Sequence, residues 1–201
     1  MKVKICGLRR PEDIAAVNAA QPDYCGFIVN YPKSRRSVSW DELPRLSALL
    51  SPQIVPVGVF VNQSTALIAE LLQSGIISVA QLHGREGNAE IDALRGQTGA
   101  PVWKAFQVHS PADIEQASRS HADLVLLDAG QGGGTVFDWS LLEGMERPFA
   151  LAGGLTVENI PKALRTNAVL LDVSSGAETG GQKDPQKIQT IVSMIKGDSH
   201  V

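Results

Sequence analysis

Cysteine is scarce: only Cys6 and Cys25 occur in 201 residues, and their spacing is not that of a metal-ligand pair. That excludes a disulfide framework, and both thiols are expected reduced. No apolar stretch approaches 18 residues, so no membrane-spanning helix is expected. The N-terminal residues Met1-Lys2-Val3-Lys4 lack the apolar core of a secretion signal, which makes a soluble, cytoplasmic protein the expectation. Basic runs are missing and the net charge is −3, which leaves no electrostatic footprint for nucleic acid and none for a membrane surface. Linkers, low-complexity segments and repeats are missing too. With 43% hydrophobic and 19% charged residues, the chain reads as one domain spanning residues 1–201. A domain of this length buries about 70% of the surface of its unfolded chain and needs no metal or disulfide staple.

What is present is alternation. Short β-branched runs at 3–6, 24–29, 54–61, 78–82, 102–106, 124–127, 149–151 and 169–173 predict strands. Amphipathic segments at 11–20, 41–50, 65–73, 89–95, 111–118, 157–164 and 185–196 predict helices between them, with only a turn or two after Trp139. Strand followed by helix, repeated, calls for parallel pairing, because each crossover carries the chain back to the same edge. Eight such units favour an α/β fold, a single-domain (β/α)₈ TIM barrel, over an open sheet with fewer strands. Ser110-Pro111 and Asp184-Pro185 read as helix N-caps followed by first-turn prolines, and Thr156 as a further N-cap.

Alternate side chains of a barrel strand face its interior. Lys4 and Cys6 then point inward, as do Leu124, Leu126 and Asp128, Leu170, Asp172 and Ser174, and Gln81 with His83. The thiol, two carboxylates and imidazole all fall near C-terminal strand ends, the face where catalytic groups collect in barrels. A cation at Lys4 beside Cys6 would favour the thiolate. Cys25 reads as a small buried hydrophobe, His83 as an organiser of its loop, and Trp139 as a packing anchor with a satisfied N–H.

Two glycine clusters end the last strands: Leu151-Ala152-Gly153-Gly154-Leu155 and Ser174-Ser175-Gly176. Loops after the seventh and eighth strands of a barrel commonly cradle a phosphate with backbone N–H groups. A third cluster at residues 130–135, beside Asp128, reads equally as a lid or a long turn.

These residues form a set. Lys4-Ile5-Cys6-Gly7-Leu8, Gly26-Phe27-Ile28, Tyr31-Pro32-Lys33-Ser34, Val57-Gly58-Val59-Phe60-Val61-Asn62 and Gln81-Leu82-His83-Gly84 come first. Leu126-Leu127-Asp128, Phe137-Asp138-Trp139-Ser140 and the two glycine clusters follow, the second opening at Asp172. In this order, from end to end, the chain resembles the phosphoribosylanthranilate isomerases, small (β/α)₈ enzymes of tryptophan biosynthesis. The resemblance implies an Amadori rearrangement of a small phosphosugar, N-(5-phosphoribosyl)anthranilate, an aminoaldose becoming an aminoketose. It assigns Cys6 as general base and Asp128 as general acid. It places Arg36 on the anthranilate carboxylate, Asp172 on a substrate hydrogen bond, and Gly154, Ser175 and Gly176 on the phosphate. Proton transfer alone is implied, with no cofactor and no metal; monomer and homodimer both stay open.

Arg35 rivals Arg36 on chemistry alone. The chain departs from the family pattern at Ser37, where an aromatic often follows the arginine, at Asn30, where an apolar or aromatic residue is expected, and at Gly133, usually serine or threonine. Three other readings compete. The aminoimidazole-ribonucleotide isomerase of histidine synthesis resembles a barrel with aspartate where Cys6 stands. A metal-dependent pentose-phosphate epimerase wants several strand-end histidines, and only His83 qualifies. A non-catalytic phospholigand-binding barrel would have no use for both Cys6 and Asp128.

Overall fold

The computed structural model describes residues 1–128, 137–142 and 144–197. Eight strands form a closed parallel barrel: β1 (Lys2–Cys6), β2 (Tyr24–Val29), β3 (Val55–Phe60), β4 (Val79–Leu82), β5 (Val102–Gln107), β6 (Leu124–Asp128), β7 (Phe149–Ala152) and β8 (Leu170–Val173). Each pairs with its neighbours in sequence, and closure comes from β1, which pairs β2 on one side and β8 on the other. Between them lie α1 (Pro11–Ala20), α2 (Leu43–Ser47), α3 (Thr65–Gln73), α4 (Asn88–Thr98), α5 (Pro111–Ser118), a 3₁₀ turn (Trp139–Leu142), α6 (Ile160–Ala163) and α7 (Pro185–Lys196). The expected strands and the expected barrel are both present. Among the described residues no helix is long and apolar enough to cross a membrane.

Two helices are shorter than the 41–50 and 157–164 expected, for one reason. Pro44 and Pro161 each sit in a first turn, where a missing N–H costs nothing. They fix the starts at Leu43 and Ile160, so Thr156 is not an N-cap. Its N–H is instead bound by the Asn159 side chain at 2.9 Å, and its carbonyl accepts from Asn159 and Ile160. Asp184 does cap α7, accepting from Gln186 N and Lys187 N at 2.9 and 3.2 Å. Before α5, the carboxylate of Asp113 holds the backbone N–H groups of His109 and Ser110.

The core has two layers, as strand alternation dictates. Val57, Val79, Trp103, Ala105, Leu124, Leu126, Ala150 and Leu170 fill the barrel, with Tyr24 edge-on to Trp103 at 5.0 Å. Val3, Ile5, Cys25, Phe27, Val125, Leu127, Phe149 and Leu171 face the helices instead. The apolar plug ends below the C-terminal rim, so polar residues one pleat higher form the floor of an open mouth.

Candidate active site

Cys6 ends β1 at that rim, 7% exposed. Lys4, one pleat below on the same face, is completely buried, and strand register sets it opposite Asp172 of β8. Lys4 Nζ donates to Asp172 Oδ2 at 2.8 Å. Burial alone would lower the Lys4 pKa; Asp172, whose charge is the largest opposing cause, carries it above the usual lysine value. At Cys6 the balance runs the other way: burial pushes the thiol up, Lys4 pulls it down, Asp172 adds to the rise, and the net direction is upward. The expected cation is there and still pulls the thiol down, but burial outweighs it, with Asp172 adding to the rise, so the balance favours the thiol over the thiolate that Lys4 alone would favour. Cys25 is fully buried in the helix-facing layer, in keeping with its reading as a hydrophobe.

Asp128 ends β6, on the far side of the mouth from β1 in the strand order. His83 Nε2 lies 3.6 Å from Asp128 Oδ2, and its Nδ1 faces Gln81 Nε2 at 3.4 Å. Desolvation lowers the imidazole below its ordinary value against the pull of Asp128 and Asp172. Gln81 Oε1 and Asp172 Oδ1 are buried acceptors with no hydrogen-bond partner among the described residues. Such acceptors are costly to leave unpaired. Trp139 is a packing anchor as expected, with Lys162 above its ring at 5.5 Å, but its indole N–H finds no partner among the described residues.

The two arginines separate clearly. Residues Ser37–Val38 pair with Ile28–Val29 and fold the preceding loop back over the mouth. Arg35 is 61% exposed on that loop, whereas Arg36 is 14% exposed and lies beside Cys6. Gly7 makes the room: a Cβ there would come within 2.5 Å of Arg36 Cδ, and its φ of +83° is costly for any other residue. The two departures in this region have local reasons. Asn30 adopts φ +47°, the left-handed region that asparagine tolerates well. Ser37 Oγ accepts the Tyr31 N–H at 2.8 Å, tying the loop at its base. Gly133 and the 130–135 loop fall outside the described residues.

The glycine loops meet as expected. Gly153 and Gly154 take φ +84° and +64°, and the Gly154 carbonyl is held by Asn159 Nδ2 at 2.8 Å. Gly176, in the 3₁₀ turn Ser175–Ala177, packs so tightly on the other loop that a Cβ would stand 1.9 Å from the Leu155 carbonyl oxygen. Gly154, Ser175 and Gly176 thus lie on two touching loops that follow β7 and β8. Among the described residues no cluster of three or more His, Cys, Asp or Glu side chains is placed to hold a metal ion. A cleft of about 900 Å³ runs from His83 and Ala105 at the mouth out between α4 and α5, lined by Glu86, Lys104 and His109 among others. Cys6, Asp128 and Arg36 are not among its walls.

Sequence reading missed two residues. Glu178 is buried directly after the Ser-Ser-Gly turn and bonds both arginines; Lys183, from the two-residue ladder Gln182–Lys183, reaches the same carboxylate at 3.0 Å. The only available signal was that an inward arginine demands a counter-charge.

Residues 3–194 match the family model described as N-(5'-phosphoribosyl)anthranilate (PRA) isomerase. The N-(5'-phosphoribosyl)anthranilate isomerase of Lacticaseibacillus casei BL23 is 41% identical, covering 98% of this chain and 95% of its own. The phosphoribosylanthranilate isomerase of Thermotoga maritima superposes with a TM-score of 0.88 at 34% identity, covering 98% of this chain and 99% of that one. A further solved isomerase, in complex with reduced 1-(o-carboxyphenylamino)-1-deoxyribulose 5-phosphate, gives 0.86 at 34% identity over the same shares. With its barrel and nearly all of its length in common with these relatives, the chain belongs to the N-(5'-phosphoribosyl)anthranilate isomerase family.

Proposed function

We propose that the mouth of this barrel rearranges N-(5-phosphoribosyl)anthranilate with Cys6 as general base and Asp128 as general acid. The chain is an isomerase of tryptophan biosynthesis, converting this aminoaldose to 1-(2-carboxyphenylamino)-1-deoxyribulose 5-phosphate. One observation carries the residue roles. Going round the barrel from β1, the phosphate-cradle strands β8 and β7 come first and β6 next. A sugar whose 5-phosphate sits on Gly154, Ser175 and Gly176 therefore extends between Cys6 on one side and Asp128 on the other.

The steps follow from those positions. Protonated Asp128 gives its proton to the furanose ring oxygen; the C1–O bond breaks and the anilino nitrogen supplies the electron pair, leaving a protonated Schiff base. Cys6, as thiolate, takes the C2 proton, and that C–H pair forms the C1=C2 bond of an enolamine, neutralising the nitrogen. Tautomerisation moves the enol proton to C1 and leaves the C2 ketone. Acid and base contribute about 10²–10⁴-fold each, with more from holding the opened sugar in place. Asp172, near the C-terminal end of β8, is the carboxylate we assign to a substrate hydrogen bond. The Arg36 guanidinium suits the anthranilate carboxylate, since a planar fork matches a carboxylate edge to edge. Because burial favours the Cys6 thiol, its proton must leave before turnover, and the charges of Lys4 and Lys183 ease that loss.

No step asks for a metal or redox cofactor. A cytoplasmic site of action and either a monomer or a homodimer suit the reading, because every residue named comes from one chain. The test is the fluorescence decay of freshly made phosphoribosylanthranilate, followed with wild type and Cys6→Ala. Fast loss with wild type and none above background with the variant is the expected result. No loss with wild type, together with turnover of the aminoimidazole ribonucleotide, would transfer the site to the histidine-pathway reaction.

A further inference from the structure

Four donors converge on Glu178. Its Oε1 accepts from Arg36 Nε at 2.6 Å and from Lys183 Nζ at 3.0 Å. Its Oε2 accepts from Arg36 Nη2 at 2.9 Å and from Arg35 Nη2 at 2.8 Å. Each oxygen is thus filled twice, and the carboxylate, 5% exposed, has little capacity left for a ligand. Burial by itself would raise its pKa, but the Arg36 hydrogen bonds and the Lys183 charge hold it down at about 2, so it is a carboxylate at any working pH.

What matters is which edge of Arg36 is used. Glu178 occupies the side edge, Nε with one Nη2 hydrogen, and leaves the end edge of Nη1 and Nη2 unspent by that pair. A guanidinium clamped along one edge cannot swing, so the other edge keeps a fixed direction on a side chain that passes over Gly7. Lys183 extends the clamp: its Nζ also donates to the Ser174 carbonyl at 2.8 Å, at the root of the Ser175–Gly176 cradle. Lys187 Nζ holds the Glu178 carbonyl at 2.9 Å.

We propose that Glu178 is the positioning residue that makes the site selective for an ortho-carboxylated arylamine: it locks Arg36 edge-on and, through Lys183, sets the distance between carboxylate reader and phosphate cradle. The inference rests on Arg36 being the carboxylate contact. Glu178 touches no substrate and moves no proton, so its loss acts on KM and selectivity rather than on the chemical step.

The experiment measures kcat and KM for phosphoribosylanthranilate, and turnover of the uncarboxylated phosphoribosylaniline, with wild type, Arg36→Ala, Glu178→Gln and Glu178→Asp. Glu178→Gln is expected to raise KM for the carboxylated substrate about tenfold or more, the worth of one charge-assisted hydrogen bond. Its kcat should stay within about twofold, by the logic that a contact made equally in ground and transition states moves KM alone. Phosphoribosylaniline kinetics should change little, Glu178→Asp should recover part of the loss, and adding Arg36→Ala to Glu178→Gln should cost less than it does alone. If Glu178→Gln folds poorly because Lys183 is left unpaired, the double variant Glu178→Gln/Lys183→Met removes both charges and serves the same comparison. An unchanged KM in Arg36→Ala overturns the carboxylate contact itself. A raised KM in Arg36→Ala with an unchanged KM in the Glu178 variants overturns the clamp alone, and so does an equal loss on both substrates.

Discussion

Replacing Asp172 by asparagine keeps the shape at the strand end but removes the carboxylate facing a fully buried ammonium. Lys4 is 0% exposed and Asp172 supplies its 2.8 Å partner. Removing one member of such a pair typically costs about 3–5 kcal/mol. The ceiling comes from letting Lys4 give up its proton: from about 10.4 in the unfolded chain to pH 7 that costs about 4.6 kcal/mol. A second relief is ionisation of the neighbouring Cys6 thiol, costing about 2 kcal/mol from an ordinary pKa near 8.5. A loss of about 2–4.5 kcal/mol at pH 7 follows, a large share of the about 5–15 kcal/mol holding a typical domain folded. The sign with pH is fixed whichever proton leaves. In wild type Lys4 stands above its unfolded value, so its contribution is fully present below about pH 10.4 and is lost only above it. In the variant the native state has released a proton that the unfolded chain still holds, so its stability climbs with pH. By pH 9.5 the Lys4 cost falls to about 1.2 kcal/mol. Urea unfolding followed by far-UV circular dichroism at pH 7 and 9.5 measures both, and the Lys4→Met/Asp172→Asn double variant should regain most of the loss. A deficit below about 1 kcal/mol at pH 7, or one that stays constant to pH 9.5, would refute the buried-pair argument.

Further expectations concern the cradle and the thiol. Gly176→Ala forces a methyl to within 1.9 Å of the Leu155 carbonyl, so the two phosphate loops must part. Overpacking of this kind costs about 1–3 kcal/mol, and the variant should bind inorganic phosphate and product more weakly while its far-UV spectrum stays native; unchanged product affinity by calorimetry would place the phosphate elsewhere. Because burial holds Cys6 above its ordinary pKa, its alkylation by iodoacetamide should rise with pH, close to tenfold per unit, through and beyond about 8.5. Peptide mapping separates this from Cys25, which has no exposed surface, and a plateau already reached at pH 7 would show a thiolate in the resting enzyme.

Much of this was legible in the amino-acid order because barrels write themselves locally. Each strand is an apolar run of fixed period, and a polar residue that breaks the inward face at a strand end, as Cys6, Asp128 and Asp172 do, marks the mouth. Helix ends blurred where proline decided them: Pro44 and Pro161 moved two starts inward, which amphipathic spacing alone does not show. The balance at Cys6 was not legible because a sequence reveals Lys4 nearby but neither how completely the fold buries the thiol nor that Asp172, 168 residues away, faces the same lysine. The Glu178 clamp was invisible for a like reason. It lies in two-residue pairings with no periodic signature and joins positions 142 residues apart. Arg36 over Arg35 was a choice between identical side chains until the loop was seen to turn one inward and leave the other in solvent.

The central claim is that one thiol and one carboxyl carry the rearrangement by proton transfer alone. It is tested most directly by kcat on phosphoribosylanthranilate for wild type, Cys6→Ala and Asp128→Asn, side by side in excess chelator. The account predicts full wild-type activity and a loss of at least about 10²–10⁴-fold in each variant. Near-normal turnover by either variant, or collapse of the wild type in chelator, would contradict it.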